Sequence, residues 1–161
     1  MKNEELTSGS TFFIRNSKFF IPFLLFLVVL LFSMPASTWE FDETLFFRGL
    51  HQYDPVAHHP PPPGYPLFMG AGKVVRAFMP SDFSALVLLS VVSSAIAFVM
   101  LALALRNLSG DATMGIGGAA LFYFSPAMLV HASLPISEPG ALALLATALY
   151  FGSKRSPALF A

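Results

Sequence analysis

The sequence predicts an all-α membrane protein with about four transmembrane helices and amphipathic interfacial helices in the first extracytoplasmic loop. Of its 161 residues, 55% are hydrophobic and only 11% are charged, whereas soluble domains average about 25% charged residues. Long uncharged segments alternate with polar ones along the chain. Basic residues are more frequent in the polar segments assigned to the cytoplasm, in agreement with the positive-inside rule.

The N-terminal segments predict a cytoplasmic tail followed by a first transmembrane helix. Residues 1–18 are polar and carry three basic residues, Lys2, Arg15 and Lys18. Residues 19–36 are uncharged, and at about 1.5 Å per residue they nearly cross a ~30 Å hydrocarbon core. A signal peptide cleaved near Ala36 is the alternative interpretation. Both interpretations place residue 40 outside the cytoplasm.

Residues 37–82 form the one long polar segment and predict an extracytoplasmic loop. Short amphipathic helices are expected over residues 43–53 and 65–79, each able to lie on the membrane surface. Between them, the four consecutive prolines at 60–63 exclude helix and favour an extended polyproline conformation.

Three further apolar segments predict the remaining spans. Residues 83–105 are uncharged and contain serines and alanines that suit close helix packing. Residues 112–130 predict a third span, which Pro126 kinks or ends, and residues 136–152 predict a fourth. This layout places six basic residues in the cytoplasm and three outside, namely Arg48, Lys73 and Arg76.

Composition narrows the possible functions. The formal net charge is zero, so nothing favours binding to nucleic acid. The absence of cysteine rules out disulfides and thiolate metal ligands. The sequence predicts no cofactor. The adjacent His58 and His59 lack a third ligand at a fixed spacing, which disfavours a metal site. His51 and Asp54 are near in sequence, so a divalent-metal requirement stays open.

Asp42 and Glu43 are the candidate catalytic residues. They follow the first predicted span, where a carboxylate in a low-dielectric pocket can act as general base toward a hydroxyl acceptor. Loss of hydration would raise the pKa of such a carboxylate toward the working pH. The structural alternative is a pair of solvated acids that stabilise a helix N-terminus.

Three other residues are candidates for substrate binding. Lys73 and Arg76 lie about one helical turn apart, where a cationic pair either binds a lipid phosphate or reaches toward anionic head groups. Glu138 precedes Pro139 at the outer end of the fourth predicted span. Its carboxylate either contacts substrate hydroxyls or begins a helix whose first turn contains the proline.

The order of these motifs resembles the N-terminal part of GT-C glycosyltransferases, including protein O-mannosyltransferases and lipid A aminoarabinose transferases. The resemblance covers about residues 15–152 and is carried by Asp42-Glu43, His59-Pro60-Pro61-Pro62-Pro63-Gly64-Tyr65 and Ser137-Glu138-Pro139. The proline run is longer than the family's, and Lys73 lies farther from it than the family's lysine. The family has many more spans, so the chain is expected to be the N-terminal portion of a larger protein.

The resemblance implies a sugar-transfer activity. Asp42 would be the catalytic acid with Glu43 supporting it, while His59 and Lys73 would lie near the donor phosphate and Tyr65 would bind substrate in the same motif. The donor would be a polyprenyl- or dolichyl-phosphate sugar in the membrane lipid, and the acceptor a protein, lipid or glycan. The enzyme would be integral to the cell membrane, with a cytoplasmic N-terminus and an extracytoplasmic first loop.

Two other interpretations remain open. A non-catalytic membrane protein, either a structural subunit or a truncated relic of such an enzyme, is favoured by the small number of predicted spans. A small transporter or channel subunit would require ionisable residues inside the spans, and the predicted spans contain almost none besides His131 near an end.

Overall fold

A computed structural model describes residues 19–155, and this part of the chain consists of helices and loops without a β-strand. The all-α class is therefore confirmed for these residues, while the predicted tail at 1–18 lies outside them. The helices are α1 (Phe19–Phe32), α2 (Phe41–His51), α3 (Pro66–Arg76), α4 (Asp82–Ser109), α5 (Ala112–Tyr123), α6 (Pro126–His131) and α7 (Glu138–Arg155).

The central element is α4, which has 28 residues and is about 42 Å long. It begins with a capping box, in which Ser81 accepts from the Ser84 backbone N–H and Ser84 accepts from that of Ser81. Gly110 follows its last residue and caps the helix, with a φ of 71° that suits a residue without a side chain. Among the described residues, α4 is the one helix long and apolar enough to cross a membrane.

The segment predicted as a third continuous span, residues 112–130, is two helices. α5 ends at Tyr123 and α6 begins at Pro126. Pro126 has no N–H to continue the hydrogen-bond ladder, and the preceding Ser125 is extended, with ψ at 141°. The apolar length is present in the sequence, but the proline divides it.

α4 is the packing centre of a helical bundle, and it contacts both α5 and α7. Phe26 of α1 stacks on Phe98 of α4 at a centroid distance of 4.9 Å and lies 5.0 Å from Tyr123 of α5. α5 approaches α4 closely at Gly115, where a Cβ atom would lie 2.6 Å from the Ala102 carbonyl oxygen. Small residues and aromatic rings thus set the spacing of the bundle.

A second apolar cluster joins α2 and α3 to the N-terminal end of α4. Gly72 of α3 lies between α2 and α4, since a Cβ there would be 2.8 Å from Leu86 and 3.0 Å from Leu50. The buried members of this cluster are Phe46, Leu50, Phe68, Met69, Leu86, Leu134 and Ile136. The two short helices are therefore packed on the bundle and do not extend away from it.

The connection between α6 and α7 lies inside the bundle. Residues 132–137 are non-helical and buried. Two hydroxyls of α4 bond to their carbonyls: Ser94 donates to Ala132 at 2.7 Å and Ser90 to Ile136 at 3.4 Å. Ser94 is twelve residues, or about 18 Å, along α4 from its start. The return segment, residues 132–137, consequently lies beside the interior of α4 and not at its N-terminal end.

The proline run is a turn, which corrects the expected polyproline conformation. Polyproline II is extended and has no internal hydrogen bonds, whereas here the Gly64 N–H donates to the Pro61 carbonyl at 2.9 Å. The His59–Pro60 and Pro62–Pro63 peptide bonds are cis. Backbone hydrogen bonds between Asp54 and His59 close the loop that leads into the run.

Candidate functional site

The candidate site lies on α2, the connecting turn at residues 52–65, and α3, which together form the loop unit. Six of the seven predicted site residues belong to it: Asp42, Glu43, His59, Tyr65, Lys73 and Arg76. The seventh, Glu138, begins α7. Hydrophobic burial positions the loop unit, because Phe46 of α2 contacts both Tyr65 and Phe68 at centroid distances of 5.4 Å.

Glu43 is the buried acid of the site, with no exposed surface. Its carboxylate turns back along the chain, and Oε2 accepts a hydrogen bond from the Trp39 backbone N–H at 3.1 Å. The other oxygen, Oε1, has no hydrogen-bond partner among the described residues. Burial raises the pKa of Glu43, opposed in part by hydrogen bonds from the Trp39 and Glu40 backbone.

Asp42 is exposed although its neighbour Glu43 is fully buried. Successive helical residues point about 100° apart, so adjacent acids occupy different environments. Asp42 lies two turns before Gly49 and shares its face of α2. The Asp42 carboxylate is therefore accessible to a molecule from solution, whereas that of Glu43 is not.

The proline turn is packed against α2 at Gly49. A Cβ atom on Gly49 would lie 2.8 Å from the Pro60 nitrogen and 3.2 Å from the His59 carbonyl carbon. This close approach places the His59 ring beside Arg48, with Nε2 at 3.5 Å from Arg48 Nη1. The other ring nitrogen, Nδ1, is buried without a hydrogen-bond partner among the described residues.

The opposite side of the turn faces α3 through Tyr53. A Cβ atom on Gly64 would lie 2.8 Å from the Tyr53 hydroxyl, and the φ of Gly64 is +97°, which favours glycine. The Lys73 ammonium lies 5.9 Å from the centre of the Tyr53 ring, within the range of a cation–π contact. Lys73 is exposed, so its charge remains accessible to an anion.

Arg76 belongs to a second polar cluster, away from the turn. Its Nε donates to Asp82 Oδ1 at 2.5 Å and its Nη1 to the Met79 carbonyl at 2.6 Å. The other Asp82 oxygen lies 2.8 Å from His51 Nε2. This cluster, the His51–Asp82–Arg76 link, ties the C-terminal ends of α2 and α3 to the first residue of α4.

Glu138 is not joined to the charged residues of the loop unit. Its exposed carboxylate lies 3.4 Å from the Ser137 hydroxyl, and no other side-chain hydrogen bond or ion pair involves it among residues 19–155. Its helix nevertheless touches the loop unit two residues later, since a Cβ atom on Gly140 would lie 3.5 Å from the Phe68 ring.

Sequence reasoning missed the roles of Tyr53, His51 and Asp82. Nothing in the spacing of Asp82 indicates a pair with both Arg76 and His51. The aromatic Tyr53 next to a turn was the one available signal for a cation contact. In the described part of the chain, no three His, Cys, Asp or Glu side chains are grouped to hold a metal ion.

The geometry combines an accessible carboxylate, a buried carboxylate and three basic side chains on one small unit. Arg48 and His59 lie together on one side of the turn and Lys73 lies on the other, and adjacent basic side chains suit the binding of an anion such as a phosphate. Comparison of the chain with protein family models, curated proteins and solved structures gives no significant match to any of them.

Proposed function

We propose that the chain is a membrane glycosyltransferase of GT-C type, or the N-terminal portion of one. It would transfer a sugar from a polyprenyl-phosphate donor to a protein, lipid or glycan acceptor outside the cytoplasm. The observation that carries the proposal is the docking of the His59–Pro60 turn on Gly49. This contact unites the acidic start of α2 and the basic turn in one rigid unit.

The roles follow from exposure and charge. Asp42 is the accessible carboxylate and acts as general base on the acceptor hydroxyl. Arg48 and His59 hold the donor phosphate, and Lys73 adds positive charge on the α3 side of the turn. Tyr65, which packs on Phe46, contributes to the same site. Glu43 supports α2 from within, because its carboxylate is already bonded to the Trp39 backbone. Glu138 contacts the acceptor side.

Arg76 has a different part in this proposal from the one its spacing suggests. Because Asp82 and the Met79 carbonyl already accept from its guanidinium, Arg76 orients α3 and so places Lys73. A lysine at this position would lose the fork of donors that makes both bonds.

The membrane arrangement is part of the proposal. α1, α4, the broken pair α5–α6, and α7 cross the bilayer as four spans, with the N-terminus cytoplasmic and the loop unit outside. Because the chain contains no cysteine, a single cysteine at position 42 can be labelled selectively. In intact cells, a membrane-impermeant maleimide should react with it, and reaction only after permeabilisation would overturn the arrangement.

The activity is tested with the complete gene product in membranes supplied with radiolabelled polyprenyl-phosphate sugars. Asp42→Asn should lower sugar transfer by about 10²–10⁴-fold, the usual contribution of a general base, while expression stays unchanged. Glu40→Gln, which neutralises an exposed acid nearby, is the matched control and should retain transfer.

Two outcomes would contradict the proposal in different ways. Wild-type rates in Asp42→Asn would remove Asp42 from catalysis. Failure of the wild-type protein to transfer sugar from any donor tested would favour the non-catalytic membrane protein.

A further inference from the structure

We infer that α3, and not α2, is the helix of the loop unit that rests on the lipid surface, with Leu67, Ala71 and Val74 inserted among the acyl chains. The sequence makes both helices amphipathic and treats them alike. The structure separates them by which face is left uncovered. The inference depends on α4 crossing the membrane and is independent of sugar transfer.

α3 has two apolar faces, and only one of them is covered by protein. Phe68, Met69 and Gly72 are buried against α2 and α4. Leu67 is 75% exposed and Val74 is 64% exposed. At about 100° per residue, the exposed pair points roughly opposite the buried set.

The uncovered stripe is continuous along the whole of α3. Gly70 and Ala71 lie between Leu67 and Val74 on the same side and are exposed, so no polar group interrupts it. Phe78, in the turn directly after the helix, is 83% exposed and extends the stripe by a further turn. An apolar stripe of this length is unfavourable in water and favourable in the interfacial layer of a bilayer.

α2 shows the opposite distribution. Its apolar residues Leu45, Phe46 and Leu50 are buried in the protein. Its outward positions are occupied by Thr44, Arg48 and His51. Phe41, the first residue of α2, is 76% exposed, but the polar residues Thr44 and Arg48 follow one and two turns later. No continuous apolar stripe is therefore left on α2 for lipid to cover, and the length of this helix faces water.

The position of α3 relative to α4 favours lipid as the occupant. Only five residues separate the end of α3 at Arg76 from the start of α4 at Asp82. Gly72 contacts Leu86, which is four residues, or about 6 Å, inside α4. α3 is therefore held at the level of the first turn of the membrane-crossing helix, where head groups meet acyl chains.

Charge complementarity supports the same occupant. Lys73 is exposed and lies between the buried face and the apolar stripe. A lysine in this position extends its ammonium toward lipid phosphates while its methylenes stay in the apolar layer. Anionic lipid should consequently strengthen the contact.

The test uses single cysteines carrying nitroxide spin labels, since the chain has no cysteine of its own. The full chain is reconstituted in phosphatidylcholine vesicles containing phosphatidylglycerol. Collision rates are measured with oxygen, which concentrates in lipid, and with a nickel chelate, which stays in water. Labels at positions 67, 71 and 74 should favour oxygen, whereas labels at 44 and 48 should favour nickel.

Labels at Val92 and Ile96, two exposed residues of α4, are the control for membrane insertion and should favour oxygen. Nickel-dominated collisions at 67 and 74 would overturn the inference, because the stripe would face water. Low collision rates with both reagents there would also overturn it, because a second copy or another protein would then cover the stripe. Loss of the oxygen preference at 92 and 96 would remove its premise. None of these readings requires enzymatic activity, so this inference and the proposed function can fail separately.

Discussion

The helical bundle and the loop unit are held together by different interactions. In the bundle, α5 touches the backbone of α4 at Gly115, and the Ser94 hydroxyl satisfies a buried carbonyl. In the loop unit, the links between helices include half-exposed ion pairs such as Arg76–Asp82. Backbone contacts cannot yield without moving a whole helix, whereas exposed ion pairs are weak. The bundle is therefore fixed mainly by shape, whereas the loop unit combines close contacts at Gly49 and Gly72 with weaker ion pairs.

The largest effect is expected where the bundle is tightest. Gly115→Ala should destabilise the protein by about 1–3 kcal/mol, the usual cost of overpacking, because the new Cβ would meet the Ala102 carbonyl and the Arg106 backbone. The measurement is thermal unfolding in detergent.

Gly117→Ala in the same helix is the matched control. Nothing lies within 4 Å of its added Cβ, so the gain in helix propensity should stabilise it by about 0.5–1 kcal/mol. Equal effects of the two substitutions would show that backbone contact does not set the spacing of α4 and α5.

A smaller loss is expected where the loop unit has its own close contact. Gly49→Ala should cost about 1 kcal/mol, the lower end of the overpacking range, because the new Cβ would meet Pro60, which belongs to a short turn that can shift more easily than a whole helix. Binding of polyprenyl phosphate should weaken as well, since the shift separates His59 from Arg48. The loss of stability and the weakening of ligand binding are both measured by thermal unfolding with and without polyprenyl phosphate.

Gly70→Ala on α3 has open space around the added Cβ, so it should stabilise the protein by about 0.5–1 kcal/mol through helix propensity and leave ligand binding unchanged. If the Gly49→Ala protein were destabilised but bound polyprenyl phosphate as the wild type does, the proline turn would not be part of the phosphate site.

The ion link should contribute less than about 1 kcal/mol, because its members are partly exposed. Asp82→Asn should nevertheless change the geometry of the loop unit, since one residue ties α2 and α3 to α4. Spin labels at 44 and 92, measured by electron–electron dipolar spectroscopy, should show a broader distance distribution in the variant.

Asp111→Asn is the comparison for this change. Asp111 caps α5 by accepting from the Thr113 N–H at 2.7 Å, and asparagine caps equally well. Its distance distribution should match that of the wild type, and a similar broadening in both variants would point to a general loss of order.

The smallest effect should appear only as a dependence on pH. Burial raises the pKa of Glu43 in the folded protein, so the unfolded state releases this proton at lower pH than the folded state does. Stability from this residue is present below the ordinary glutamate pKa of about 4.3 and is lost as pH rises through the folded-state pKa.

Glu43→Gln has no carboxylate to ionise and so does not lose this stability. The difference in melting temperature between Glu43→Gln and the wild type should therefore increase as pH rises from the ordinary glutamate pKa through the folded-state pKa of Glu43. A constant difference across pH would mean that the pKa of Glu43 is the same in the folded and unfolded states. Glu138→Gln, which neutralises an exposed carboxylate on α7, serves as the control and should follow the wild-type profile.

The sequence predicts the helical class and the proline break because these depend on local chemistry. Uncharged segments of sufficient length form α4, and Pro126 divides the next segment wherever it is placed in space. The expected helices over 43–53 and 65–79 correspond to α2 at Phe41–His51 and α3 at Pro66–Arg76, with shifts of one to three residues at each end.

The details of the site depend on contacts that the sequence does not reveal. Asp42 and Glu43 are chemically similar neighbours, and only the docking of α2 decides which of them is buried. Arg76 has the spacing of a phosphate ligand beside Lys73, but the turn after α3 brings Asp82 to it first. The proline run bends because Gly64 bonds back to Pro61, which a composition-based expectation of polyproline overlooks.

The buried return segment has a consequence for the order of biosynthesis. The carbonyls of Ala132 and Ile136 reach Ser94 and Ser90 from 38 and 46 residues further along the chain. A ribosome therefore delivers α4 before the partners of its hydroxyls exist. Serine hydroxyls in a helix can bond in the meantime to the carbonyl one turn earlier, so α4 can form with its hydroxyls satisfied. The arrival of residues 132–137 then requires these hydroxyls to change partner.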